Sequence, residues 1–390
     1  MELSRFHAAI EQIAEDYKSN GVEADLNSLV ANLASLAANP GNADISQVFK
    51  DQLNSFRLTL QESSLNIAEA ELLETLRNQG LTGYVGNGLF TRIKEVLDEN
   101  QLTPNLASAA VEKLRVETTK KLSVVTAIDS AFTELDVDIW RLEEGLAEML
   151  ISIPIEQETK TLEDLAKEAK DWHRICDAIS ETFDTERSRV TIRTVASGSI
   201  LLYLAAVPAF IFGVAKCLKS VNQILAEVIK MKGLLKQLVD SKVPDAILQG
   251  FQTHNEGKAK TDLEQLASTL VEEYYSGGDA GRKNELKTSL SISLQRLSQK
   301  LATGATVNLR LAAPKKPKIA DGQEATEDQK AILQKIELFE KVQTEVEASK
   351  VMLNYSDHAN DLIAALPAPV QDEVNNNWTR SPREIEKLAK

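Results

Sequence analysis

Thr194-Val195-Ala196-Ser197-Gly198-Ser199-Ile200-Leu201-Leu202-Tyr203-Leu204-Ala205-Ala206-Val207-Pro208-Ala209-Phe210-Ile211-Phe212-Gly213-Val214-Ala215 is a run of 22 residues without a charge in a chain of 390. As one helix it would extend about 33 Å, close to the ~30 Å hydrocarbon core of a bilayer. Nine of its residues are Ala, Gly or Ser, which weakens transfer into lipid but permits close helix packing. Pro208 lacks an N–H and should kink a helix drawn through it. The alternative is a helix buried in a large bundle, which is apolar all round and needs no lipid.

The flanks of the run are basic. From Arg187 to Lys236 there are eight cations against Glu227 alone, a net of +7 in a chain whose total is −14. The remainder therefore carries −21. Anionic headgroups attract such an island at about 1 kcal/mol per Lys or Arg near the surface. Arg187, Arg189, Arg193, Lys216 and Lys219 are the expected contacts. With both flanks basic, the positive-inside rule gives no orientation.

The composition sets outer limits. Apolar residues are 43% and charged residues 26%, which is a globular balance. An acidic chain is a poor general binder of DNA or RNA, so no nucleic-acid partner is expected. Two cysteines, Cys176 and Cys217, cannot build a disulfide framework or a cysteine-rich zinc site. The N-terminus has no basic start followed by an apolar core, so any export is expected to proceed without a Sec signal. A cytoplasmic location is the alternative.

Most of the chain reads as helix. Ser4 can cap a first helix ending near Gly21, a second runs to Asn39-Pro40-Gly41, and a third starts at Asp44 and ends at Gly80. Gly80, Gly83, Gly86 and Gly88 form a turn that lacks the spacing of a phosphate loop. Thr103-Pro104 starts a long helix. Heptads follow in Ile128, Phe132, Leu135, Ile139, Leu142, Leu146 and Met149. The rhythm returns in Leu162, Leu165, Ala169, Trp172, Cys176, Ile179 and Phe183, and again in Val221, Ile224, Val228, Met231, Leu235 and Leu238. They predict an all-α fold, an elongated bundle of long helices around the apolar segment. His254 to Gly257 reads as a loop between helices. Thr306 to Leu311 alternates and is expected as one short strand. Thr326 and Gln329 have capping-box spacing and open a last long helix running to about Ile363, with a seam through Ile332, Ile336, Phe339, Gln343, Val346, Lys350 and Leu353. The expected regions are 1–102 (N-terminal helices), 103–302 (bundle with the apolar segment at 194–215), 303–325 (linker) and 326–390 (last helix and tail).

No catalytic constellation emerges. His7, His173, His254 and His358 fall in no metal-ligand spacing, and there is no GxSxG or calcium loop. His173 and Cys176 share a helix and read as a rim histidine and a packed core cysteine. No enzyme activity, cofactor or metal is expected.

The order of elements resembles the α-helical pore-forming toxins of the hemolysin E and xenorhabdolysin type, from about Thr103 to Ile363. The resemblance lies in the sequence of heptad helix, central apolar segment and second heptad helix. It implies a soluble protein whose apolar segment is hidden, swings out at a membrane, inserts, and assembles with further copies or a second protein component. The inserting residues would be Ile200, Leu201, Leu202, Tyr203, Leu204, Val207, Pro208, Phe210, Ile211, Phe212 and Val214, with Gly198 and Gly213 as permissive hinge positions. Each half around Pro208 is too short to span, so a single pass, or insertion extended past Lys216 toward Leu218, is expected. On this reading Leu202→Asp abolishes membrane leakage and leaves a soluble fold. The rival functions are a scaffold with the run in its core and a single-pass membrane protein.

Overall fold

The structure is a computed structural model describing residues 2–101, 103–154, 161–185, 190–196, 200–241, 243, 245–317, 326–350, 362 and 365–366. Among these residues are eleven α-helices, one 3₁₀ turn and four strands. The fold is thus mostly helical, and a four-stranded sheet corrects the all-α expectation. The strands are β1 (Ala147–Ile153), β2 (Thr191–Ala196), β3 (Ile200–Ala206) and β4 (Thr306–Leu311), in the order β2-β3-β1-β4. β1 and β4 are antiparallel, from Ala147 opposite Leu311 to Ser152 opposite Thr306.

Local chemistry explains where helix gives way to strand. A short continuous apolar run fits a buried helix or a buried strand equally well. Ile153 and Val207 each precede a proline, and a residue in that position is pushed out of the helical region. Val207 is extended, at φ −89° and ψ 150°. Met149 therefore lies in β1 and Leu146 immediately before it, not in a heptad helix, and Leu135 is exposed beyond the end of the preceding helix. The single strand expected at Thr306–Leu311 is present as β4.

The chain divides into two compact units. Unit 1 comprises residues 1–155, 192–204 and 306–312, and unit 2 comprises 156–191, 205–305 and 313–390. Unit 1 holds α1 (Leu3–Ser19), α2 (Val22–Ala38), α3 (Ala43–Gln61), the 3₁₀ turn Ser64–Ile67, α4 (Ala70–Asn78), α5 (Gly86–Glu99) and α6 (Pro104–Glu134), with the body of the sheet. One apolar cluster gathers Leu26, Leu29, Phe56, Leu89, Ile93 and Val111. A second gathers Ile10, Ile13, Leu72, Leu76 and Leu122. Unit 2 holds α7 (Leu162–Thr182), α8 (Pro208–Asp240), α9 (Asp245–Tyr274), α10 (Ala280–Ala302) and α11 (Glu327–Ser349). There α8 packs against α9, α10, α7 and α11.

Several helix boundaries follow their signals. Pro104 stands in the first turn of α6, and Thr326 with Gln329 forms the expected capping box. Thr161 and Asp164 form another at α7. Others differ. α1 begins one residue before Ser4, and Asn42, not Asp44, caps α3 by accepting from the N–H groups of Asp44 and Ile45. The expected helix from Asp44 to Gly80 is broken at Ser63, whose hydroxyl donates to Asp16 (2.8 Å) and holds the chain in a 3₁₀ turn. α9 runs through His254 to Gly257, where a loop was expected. The seam of α11 buries Phe339, Val342, Val346 and Ser349, which keeps polar Gln343 out of the contact.

Candidate functional site

The structure divides the apolar run. Its start, Thr194 to Ala196, ends β2, Ile200–Ala206 is β3, within unit 1 as far as Leu204, and Pro208 to Ala215 opens α8 in unit 2. The expected single helix is replaced by strand, the extended Val207 and helix, and Pro208 starts α8 at a position where its missing N–H costs nothing. Leu201, Leu202, Tyr203, Leu204, Phe210, Ile211 and Val214 are buried; Ile200, Val207, Pro208 and Phe212 are half-buried. Alternate β3 residues point to opposite faces, so burial of four in succession means that both faces of the strand are covered. Arg193 is exposed, whereas Lys216 and Lys219 are partly covered. Arg187, Arg189 and Gly198 lie outside the described residues. Among the described residues, α8 is the one helix long and apolar enough to cross a bilayer, and half of its apolar window is buried.

Within unit 1 the run is anchored by charge. Arg5 on α1 donates from Nη1 and Nη2 to Glu148 Oε1 (3.2 Å) and Oε2 (2.7 Å) on β1. Its guanidinium lies between two aromatic faces, 3.7 Å from the Trp140 ring centre and 4.0 Å from that of Tyr203. Arg310 on β4 donates to Glu69 (2.6 Å), Glu71 (2.8 Å) and Glu148 (3.4 Å). Glu148 is 0% exposed and Arg5 3%. Burial raises the Tyr203 phenol above its ordinary value, and Glu71 raises it further. Arg5 and Arg310 each bond carboxylates of this group, so the cluster ties α1, the start of α4, β1, β3 and β4 together.

In unit 2 the first turns of α8 carry an aromatic group. Phe183 stacks on Tyr274 at 4.6 Å between ring centres, and Phe212 meets both edge-on at 6.1 and 5.9 Å. Glu345 on α11 pairs with Lys216 (2.9 Å) and Lys219 (3.4 Å). Burial pushes the Glu345 carboxyl up, but the two ammonium groups outweigh it and leave it below the usual carboxylate range. Cys176 and Cys217 are free and buried, with thiols pushed up to about 12 by burial. Such thiols stay protonated near neutral pH and behave as small apolar groups.

Gly213 is a close-approach position inside α8. A methyl group there would lie 2.6 Å from Phe183 Cδ2 and 3.1 Å from Ile179 Cγ2. Gly233, on the same helix, meets nothing within 4 Å. Gly233→Ala is expected to stabilise by about 0.5–1 kcal/mol through helix propensity. Gly213→Ala should instead destabilise by about 1–3 kcal/mol, because the helix gain is outweighed by overpacking. Urea titration of both variants checks this, and equal effects would remove the packing role of Gly213.

The charge cluster was not legible in the sequence. Its hydrogen-bonded partners stand 143 to 241 residues apart. The one local signal is Glu148 itself, a lone acid inside an apolar strand. His7 is likewise buried by the fold, with Nδ1 2.8 Å from the Val137 carbonyl oxygen. Among the described residues no group of three or more His, Cys, Asp or Glu could hold a metal ion. The chain matches no protein-family model, no curated protein and no solved structure.

Proposed function

We propose that this chain is a membrane-active protein that folds in water first, then releases its apolar run into an anionic lipid layer and assembles with further copies there. The observation that carries the reading is α8. It is a helix of membrane-spanning length whose apolar window is half-buried in the folded state and which carries Lys216, Lys219, Lys230, Lys232 and Lys236. A run stored in protein cores can still prefer lipid once released, and a gap of a few kcal/mol between the two states suffices for a switch. In this reading α8 from Pro208 onward is the spanning element and β3 must first leave the sheet of unit 1. Pore formation by long helices standing side by side is the finer form of the proposal.

Leakage of a trapped dye from vesicles is the deciding experiment. Purified protein is expected to release dye from phosphatidylglycerol-containing vesicles and to release less from phosphatidylcholine alone. Neither leakage nor co-sedimentation with either vesicle would overturn the reading. The complete burial of Tyr203, Phe210 and Ile211 favours a second one, a scaffold whose apolar run never leaves the core. That reading gains if the protein stays monodisperse and vesicles stay sealed. Purification only in detergent would instead mark a permanent anchor.

A further inference from the structure

We infer that α11 is a removable cover, and that the stripe of α8 beneath it is the surface that meets anionic lipid. This rests on the membrane reading of α8 and adds its regulation. α11 packs chiefly on α8 among the described elements. The partners rise together along both helices. Lys341 Nζ lies 5.1 Å from the Phe212 ring centre, Glu345 pairs with Lys216 and Lys219, and Asn222 donates to the Ser349 carbonyl oxygen at 3.1 Å. The two helices therefore run parallel. Phe212, Lys216, Lys219 and Asn222 are spaced by four, three and three, which places them on one face of α8.

Charge complementarity identifies what replaces the cover. α8 has five lysines against Glu227 and Asp240, a net of +3. α11 has six acids against Lys330, Lys335 and Lys341, a net of −3. An acidic helix with an apolar seam presents to α8 the two things an anionic bilayer presents, negative charge and hydrocarbon. Buried Phe339, Val342 and Val346 supply the hydrocarbon and Glu345 supplies the charge. The capping box at Thr326 and Gln329 lets α11 keep its first turn without α8, so lifting it leaves that helix start intact. Anionic headgroups would then take over Lys216 and Lys219 as Glu345 leaves them.

The test uses the full chain with phosphatidylcholine vesicles, with and without phosphatidylglycerol. Glu345→Ala removes the ionic clamp, and the double variant Val342→Ala with Val346→Ala loosens the apolar seam without touching charge. Both are expected to bind anionic vesicles several-fold more at equal lipid and to leave binding to neutral vesicles unchanged. Hydrogen exchange should show the α11 amides losing protection in vesicle-bound wild-type protein. Should wild type bind and α11 stay protected, or should both variants bind as wild type does, the cover is overturned while the membrane reading stands. Absence of any binding or leakage by all three proteins removes the membrane reading itself.

Discussion

Glu148→Ala is expected to destabilise unit 1 by about 3–5 kcal/mol, the range for breaking a buried ion pair from one side. The carboxylate is fully buried and serves both guanidiniums, so its removal leaves Arg5 without its bidentate partner inside the core. Glu71 stays 3.7 Å from Arg5 Nη1 and is already occupied by Arg310. The aromatic faces of Trp140 and Tyr203 cannot replace a carboxylate, since a cation–π contact contributes about 0.5–2 kcal/mol. Hydrogen exchange of the β1 amides across a urea series measures the effect. Arg5→Met combined with Glu148→Leu should recover most of the loss, because an apolar pair has no charge to desolvate. A loss below 1 kcal/mol for the single variant would show that the lock does not hold the sheet.

Leu202→Asp should cost several kcal/mol and unfold the sheet of unit 1, because it places an unpaired carboxylate in the middle of buried β3. Leu201 and Tyr203 on the neighbouring face join Leu150 of β1 in a closed apolar cluster, so the strand has no wet side on which to turn the new charge. Soluble, protected β3 amides in that variant would contradict the burial of Leu202. This changes what the substitution can decide. Read from sequence, it separates an inserting helix from a core helix. With Leu202 in a sheet, both functions predict loss of the fold, and the variants of α11 are the better instruments.

The seam of α7 shows how far periodicity reaches. Trp172, Cys176 and Ile179 are buried as the heptad predicts, while Leu162 at the start of the same pattern is exposed. A repeat specifies which face is apolar, and only the neighbours decide how much of it is covered. The heptad through Leu146 and Met149 failed for a different reason. Met149 faces Leu309 in the ladder, a partner 160 positions away that no local window contains.

The apolar run itself divides the same way. Its length, its lack of charge and its basic flanks are properties of consecutive residues and were readable directly, as were the proline at the head of α6 and the capping box of α11. Local sterics and capping hydrogen bonds act within four residues, so they survive in a one-dimensional reading. The tertiary structure decided that the run is strand at Thr194 to Ala196 and Ile200 to Ala206 and helix from Pro208. It also decided that Glu345 covers the lysines expected at lipid, and that Glu148 joins two arginines more than 140 residues away. Those outcomes depend on which distant groups meet in a low-dielectric interior, where an ion must find its partner or unfold the segment that carries it.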